Sequence, residues 1–222
     1  MIGSPLQPAV LQGPRVQLRP YQHGFDEREL QALYAWSLDS DLLSMCGTQP
    51  LSLDYRRFCE LFQQQVQRKP METDQLYAIL DETGRIIGRI GLFGLHQQVD
   101  PLGISAPGGV LLQSDRAELG IMIGERPAWG RGLGREAVGL LVDHAFSVMD
   151  LSQIVLYTFP DNIRAQRSFA AAGFASSRQL RRFSLSQGAH DEVEMRISPR
   201  DRRRVARAAQ ERSPATQAQD VR

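Results

Sequence analysis

ELGIMIGERPAWGRGLG, residues 118–134, is the stretch on which the reading of this chain turns. An apolar, strand-like run from Ala117 to Ile123 passes through a turn into Gly130-Arg131-Gly132-Leu133-Gly134, and a helix begins near Arg135. Glycine at every second position removes the side chains that would block a ligand's approach to the backbone. The helix that follows turns its unpaired N–H groups and positive dipole end toward the same space. Such a loop is an anion site, most often one for phosphate.

On the N-terminal side, residues 1–14 are rich in Pro, Gly and Gln and read as a flexible arm. Val16–Pro20 alternates as a short strand. A helix is expected from Asp26, its cap, to Leu43, and a second from about Leu53 to Arg68 with Ser52 as cap. Gln75–Leu80 and Arg85–Phe93 flank the turn Asp81-Glu82-Thr83-Gly84 as a hairpin. Residues 95–114, with Pro101, Gly103, Pro107, Gly108 and Gly109, read as a long irregular loop. On the C-terminal side come a helix to Met149, a strand Ile154–Thr158, a helix opened by Asp161 and Asn162 and closed by Gly173, and a hairpin of 182–185 with 193–197. This alternation predicts a mixed α/β (α+β) layer fold with helices against a central sheet.

The composition suits a globular chain: 222 residues, 42% hydrophobic, 23% charged, net charge +1. From Arg200 onward seven Arg face Asp201, Glu211 and Asp220, which leaves about −3 on the rest. Two cysteines and four scattered histidines fit no metal or redox pattern, so no metal is expected. No run approaches the ~18 apolar residues of a membrane span, and the first residues lack a secretion-signal pattern. The expectation is a cytoplasmic protein with no membrane contact.

Three phosphate ligands compete for the loop. A nucleotide P-loop needs Lys-Ser/Thr after its glycines, where this chain has Arg135-Glu136. Gly132-Leu-Gly134-Arg-Glu-Ala137 matches a dinucleotide fingerprint by letter, but too few β-α units follow and the next strand ends Tyr157-Thr-Phe-Pro160 without an acid. The third is the pyrophosphate of coenzyme A. Trp129-Gly-Arg-Gly-Leu-Gly134 resembles the Q/R-x-x-G-x-G/A motif of the GNAT N-acetyltransferase superfamily. Asn162-Ile-Arg-Ala-Gln-Arg-Ser-Phe-Ala-Ala-Ala-Gly-Phe174 is similar to that family's second motif, N-x-x-A-x-x-x-Y-x-x-x-G-F. Leu18-Arg19-Pro20 and the hairpin Gly188–Met195 fit the branch containing ribosomal-protein N-terminal and spermidine acetyltransferases.

The resemblance implies a GNAT domain over residues 15–198; the remainder, 199–222, reads from its Arg-, Ala- and Gln-rich composition as a flexible tail whose first part can extend as a helix. It implies a mostly antiparallel sheet of six to seven strands, about four helices and a splay between two central strands. It also implies acetyl-CoA as co-substrate, with acetyl transfer to a primary amine by direct attack. The acceptor classes are a protein N-terminus, a polyamine or another small amine.

Site residues follow from the matched positions. Ile121, Met122 and Ile123 would pair with the pantetheine arm. Trp129, Gly130, Arg131, Gly132, Leu133, Gly134 and Arg135 would hold the pyrophosphate. Asn162 and Phe169 would contact the arm, with Phe174 on the same apolar wall. Glu118 is the expected general base and Asp191 a second carboxylate. Phe169 stands where many members carry Tyr, so the acid for the leaving thiolate is open, with Tyr157 or water as alternatives. That departure supports a second reading, a catalytically silent coenzyme A-binding module. Trp36, Tyr34, Phe58 and Phe62 are candidates to line the acceptor cleft, although aromatics at helical spacing more often form core, and Asp39, Asp41, Asp54 and Glu60 are the acids a polyamine would need, although such charges are usually a solvated face. Partners beyond the acceptor are a possible homodimer and a nucleic-acid or ribosome contact through the arginines of the tail.

Overall fold

The computed structural model describes residues 8–67, 74–99, 110–184 and 188–211. The elements run β1 (Leu11–Gln12), β2 (Val16–Pro20), α1 (Glu27–Leu38), α2 (Ser40–Ser44), α3 (Tyr55–Gln67), β3 (Gln75–Asp81), β4 (Ile86–Phe93), β5 (His96–Val99), β6 (Val110–Gln113), β7 (Arg116–Ile123), α4 (Leu133–Ser147), β8 (Gln153–Thr158), α5 (Ile163–Ala172), β9 (Ala175–Ser184), β10 (Gly188–Ile197) and α6 (Pro199–Glu211). Eight strands form one open sheet in the order β1-β2-β3-β4-β7-β8-β10-β9. Every neighbouring pair is antiparallel except β7 with β8.

The class is the expected mixed α/β fold, and the details differ where local signals compete. The single helix expected over 26–43 is two. Asp39 leaves helical geometry and accepts from the Leu42 N–H at 3.0 Å, so its carboxylate starts α2 instead of continuing α1. At the start of α1 the expected cap is present as a full capping box, Asp26 with Glu29. For α3 the cap is Asp54, which accepts from the Arg57 N–H at 2.8 Å, in place of Ser52. Within the expected loop 95–114, β5 and β6 pair antiparallel from His96↔Gln113 to Val99↔Val110, and 100–109 lie outside the described residues. The terminal hairpin is longer than expected, because β9 starts at Ala175 and a bulge between Glu194 and Met195 absorbs the mismatch.

The first and last described segments are tied down. β1 lies in the segment expected as a free arm and pairs Leu11↔Leu18. The first half of the Arg-rich tail is α6, where the sequence allows a helical extension. Its Val205 packs on Gly173, and Arg202 forms two 2.6 Å bonds to Asp143 on α4. Residues 212–222 lie outside the described residues.

The sheet carries a core on each face. On one, α4 buries Leu133, Ala137, Val138, Leu141, Val142 and Ala145 against Ile154, Leu156, Met195 and Ile197. On the other, Leu33, Trp36 and Leu42 cover Leu80, Ile86 and Met122. Each large aliphatic chain removed from water contributes about 1.5–3 kcal/mol. Trp36 lies flat on Gly124, where a Cβ would come within 2.1 Å of the indole.

Candidate active site

β7 and β8 pair only over Arg116↔Gln153, Ala117↔Ile154 and Glu118↔Val155. Beyond that point β7 stays with β4 as far as Ile123, while β8 stays with β10 as far as Thr158. The two central strands therefore splay from Glu118. Which backbone groups face the gap follows from strand geometry. The Gly124 N–H donates to Ile87 on the β4 side at 2.9 Å, and alternate residues share a direction. The even residues 120 and 122 thus point their backbone groups at β4. Leu119, Ile121 and Ile123 point theirs into the gap. Of the three residues expected to pair with the pantetheine arm, Ile121 and Ile123 face the gap, whereas Met122 turns its backbone to β4 and its side chain into the core beneath α1.

The glycine loop lies at the end of this strand. Gly130 and Gly132 adopt φ of +74° and +79°, the left-handed region that side chains disfavour. Gly132 is the N-cap of α4 and carries no capping side chain, so the N–H groups of Leu133, Gly134 and Arg135 have no intrahelical partners. Two guanidinium groups converge here. A Cβ on Gly132 would lie 3.5 Å from Arg15 Nη2 and 3.7 Å from Arg135 Nη2. Arg15 is fixed there by Glu136, which accepts from its backbone N–H at 2.7 Å and its Nε at 2.9 Å, and by the Arg131 carbonyl at 3.0 Å. Donors and cations around a side-chain-free turn fit a pyrophosphate. Leu133 differs from its neighbours, because its side chain is buried in the core. Gly134 packs tightly on Ile123, 3.3 Å from where its Cβ would be.

Glu118 stands at the apex of the splay on the face opposite α4. Phe93 is its register partner on β4. Val155 and Tyr157 on β8, and Glu192 and Glu194 on β10, occupy the same face by alternation. Loss of hydration between these strands pushes the Glu118 carboxyl above the ordinary carboxylate range; Arg182 opposes this and Glu192 adds to it. Tyr157 is also raised, first by burial and then by Glu194 and Glu118, while Arg182 works against the shift. Its hydroxyl donates to Glu194 at 3.4 Å, and the Arg182 guanidinium lies 4.4 Å over its ring. A carboxyl with raised proton affinity at the mouth of a backbone slot is suited to take a proton from an incoming ammonium.

The remaining expected residues take several roles. Trp129 donates from its indole N–H to the Ile123 carbonyl at 2.8 Å and lies between Arg126 and Arg164, at 5.3 and 4.0 Å from its ring. Asn162 caps α5 through a 3.2 Å bond from the Ala165 N–H. It lines an open cleft of about 510 Å³ with Met45, Phe159 and Arg164. Phe169 is half-buried beside Phe174, ring centres 6.2 Å apart.

Three sets of candidates take the structural role in place of the functional one. Tyr34, Phe58 and Phe62 stack on one another and Trp36 is buried, so they build the roof's own core and do not line the cleft. The acids proposed for a polyamine are engaged elsewhere: Asp39 and Asp41 with Arg126, Glu60 with Arg56 and Arg57, and Asp54 as the α3 cap. Asp191 pairs with Arg181 at 3.8 Å on the alternate register from Glu118; Glu192 shares the Glu118 face. Sequence reading missed Arg15, Phe93, Arg164 and Arg182. All four reach the site across long sequence separations, and only the strand alternation around Phe93 carried a local signal. Among the described residues no group of three or more His, Cys, Asp or Glu could hold a metal ion. Also among them, no helix is long and apolar enough to cross a membrane.

A splayed parallel pair, a glycine anion cradle at the following helix and a carboxylate at the apex define an acyltransferase-type site. The family model described as Acetyltransferase (GNAT) domain matches residues 15–175, and the chain belongs to this family. It is 24% identical over 143 residues to an N-acetyltransferase 9-like protein of Caenorhabditis briggsae, covering 62% of this chain and 65% of that one. It is 26% identical over 117 residues to the uncharacterized N-acetyltransferase p20 of Bacillus licheniformis, covering 53% and 57%. The match thus spans about three fifths of these curated relatives. Among solved structures, spermidine N-acetyltransferase from Vibrio cholerae in complex with CoA and spermine aligns with a TM-score of 0.65 at 17% identity, over 86% of this chain and 99% of that one. Mycobacterium smegmatis RimJ in complex with CoA-disulfide also aligns at 0.65 and 17%, over 91% and 95%. At these identities the likeness to the two structures is one of fold.

Proposed function

We propose that this protein is an acetyl-CoA-dependent N-acetyltransferase that acetylates a primary amine by direct attack, without an acyl-enzyme. The observation that carries this reading is the end of β7–β8 pairing at Glu118 and Val155, which leaves the Leu119 carbonyl, both backbone groups of Ile121 and the Ile123 N–H open on a line to the glycine cradle. Those N–H and C=O groups receive a peptide-like arm as a further strand would. The N–H groups of Leu133 to Arg135, with Arg15 and Arg135, hold its pyrophosphate.

Glu118 accepts the proton that the ammonium must lose, directly or through one water. The Ile121 N–H donates to the thioester oxygen as negative charge develops there. The amine nitrogen forms the new C–N bond, the C–S bond breaks, and the leaving sulfur takes a proton. Phe169 has no proton to give. Tyr157, on the Glu118 face, and water are the donors within the site.

The test is isothermal titration with acetyl-CoA followed by free-thiol release over an amine panel. Binding with acceptor-dependent release is expected. Absence of binding at millimolar acetyl-CoA would overturn the reading. Binding without release above background on any amine would favour the silent coenzyme A-binding module instead, the reading that Phe169 supports.

A further inference from the structure

We infer that the acceptor is a monoamine whose amine-bearing carbon carries an apolar group, and that Phe93 is the plate on which that group rests; this builds on the acetyltransferase reading of the same site. Among the described residues, Phe93 is one of five large hydrophobic side chains left exposed, at 36%. It is the register partner of Glu118, so the two side chains stand side by side on the open face. Its ring spans two glycines: a Cβ on Gly120 would meet it at 3.0 Å and one on Gly91 at 3.4 Å. A side chain at Gly120 would press on the ring, whereas one at Gly91 would touch it at ordinary contact distance. An aromatic ring laid flat beside the proposed base, and left open to solvent, offers an apolar contact next to the reacting nitrogen.

The charges on this face argue against a second ammonium. Glu192 is bound by Arg182 at 3.1 Å and faces His190 at 3.1 Å. Glu194 is bound by Arg178 at 3.1 Å and by Arg196. Among the described residues of β7–β10 on this face, Glu118 is the acid without an ion-pair partner. The three arginines bind Glu192 and Glu194, which leaves Glu118 as the acid of β7–β10 open to an amine on this face, while Asp74, across from Phe93, accepts from the Gly94 N–H at 3.1 Å. The shared chemistry, an amine beside an apolar substituent, occurs both in arylalkylamines and in the α-amine of peptides with an apolar first residue.

The test measures both free-thiol release and calorimetric binding of amines to the coenzyme A-loaded full chain. The probes are phenethylamine, a Leu-initiated tripeptide, ethylamine and spermidine. Either apolar monoamine is expected to exceed spermidine at least tenfold in kcat/KM, and in affinity; the better of the two identifies the source. Phe93→Ala should raise KM for the apolar amines about tenfold with little change in kcat, and leave ethylamine within about twofold. Phe93→Leu should restore most of the loss. Spermidine equal to or better than both monoamines, or an equal loss for every amine in Phe93→Ala, would overturn the inference. If release is absent but the binding preference holds, the inference stands and the acetyltransferase reading fails. If no amine binds, both fail.

Discussion

The indole N–H of Trp129 donates to the carbonyl of Ile123 at 2.8 Å, so a side chain holds the last gap-facing carbonyl of the splayed strand. Arg164, at the start of the helix across the gap, covers the same ring at 4.0 Å and reaches Met45 on the roof. A ligand arm entering the splay must pass beneath this bridge or displace it. Trp129 emission should therefore shift or quench on titration with acetyl-CoA in a Trp36→Phe background, where it is the single tryptophan. Emission unchanged at saturating ligand would show that the arm does not pass this point.

Gly132→Glu tests the cradle. The residue sits at φ +79°, where a side chain costs about 1–2 kcal/mol, and the new carboxylate would face the space enclosed by Arg15 and Arg135. Acetyl-CoA affinity should fall more than a hundredfold in calorimetry, while the melting temperature drops only by a few degrees.

Glu118→Gln tests the base through its pH dependence. The folded state holds the Glu118 proton more tightly than the unfolded chain does, because hydration is lost in the fold. Activity that needs the ionised form should therefore rise along a limb displaced above the ordinary carboxylate range, and the variant should lose that limb with most of kcat. For stability the sign is opposite. A raised carboxyl pKa favours the fold at low pH, and that contribution is lost as pH rises from the unfolded to the folded value. At neutral pH the Gln variant should thus be at least as stable as the parent in urea unfolding.

Arg15→Ala separates positioning from folding. Glu136 keeps the backbone N–H groups of residues 15 and 16 as donors, so the loss is one partly exposed ion pair, about 1 kcal/mol or less. The cradle, however, loses one of its two guanidiniums and the bond that fixes the Arg131 carbonyl. Acetyl-CoA affinity should fall about tenfold, some 1.4 kcal/mol, with a shallower salt dependence. An unchanged dissociation constant would remove Arg15 from the site.

The amino-acid sequence by itself determined what depends on neighbouring residues. The Gly130–Gly134 turn, the Asp26 and Asn162 caps and the Gly173 stop all act within four residues, so their letters carry their geometry. The break at Asp39 was less legible, because a mid-helix Asp in an apolar pattern reads equally as a solvated side chain until its carboxylate is seen capping Leu42. Tertiary structure alone decided which distant residues meet. Arg15 reaches Glu136 across 121 positions. Phe93 stands beside Glu118 through the β4–β7 register. Glu192, and not Asp191, faces Glu118, because a one-residue difference reverses a strand side chain and the register of β10 is fixed by its partners and its bulge. The anion cradle is a local property of the chain, while the acceptor face is set by the register of strands paired over long distances.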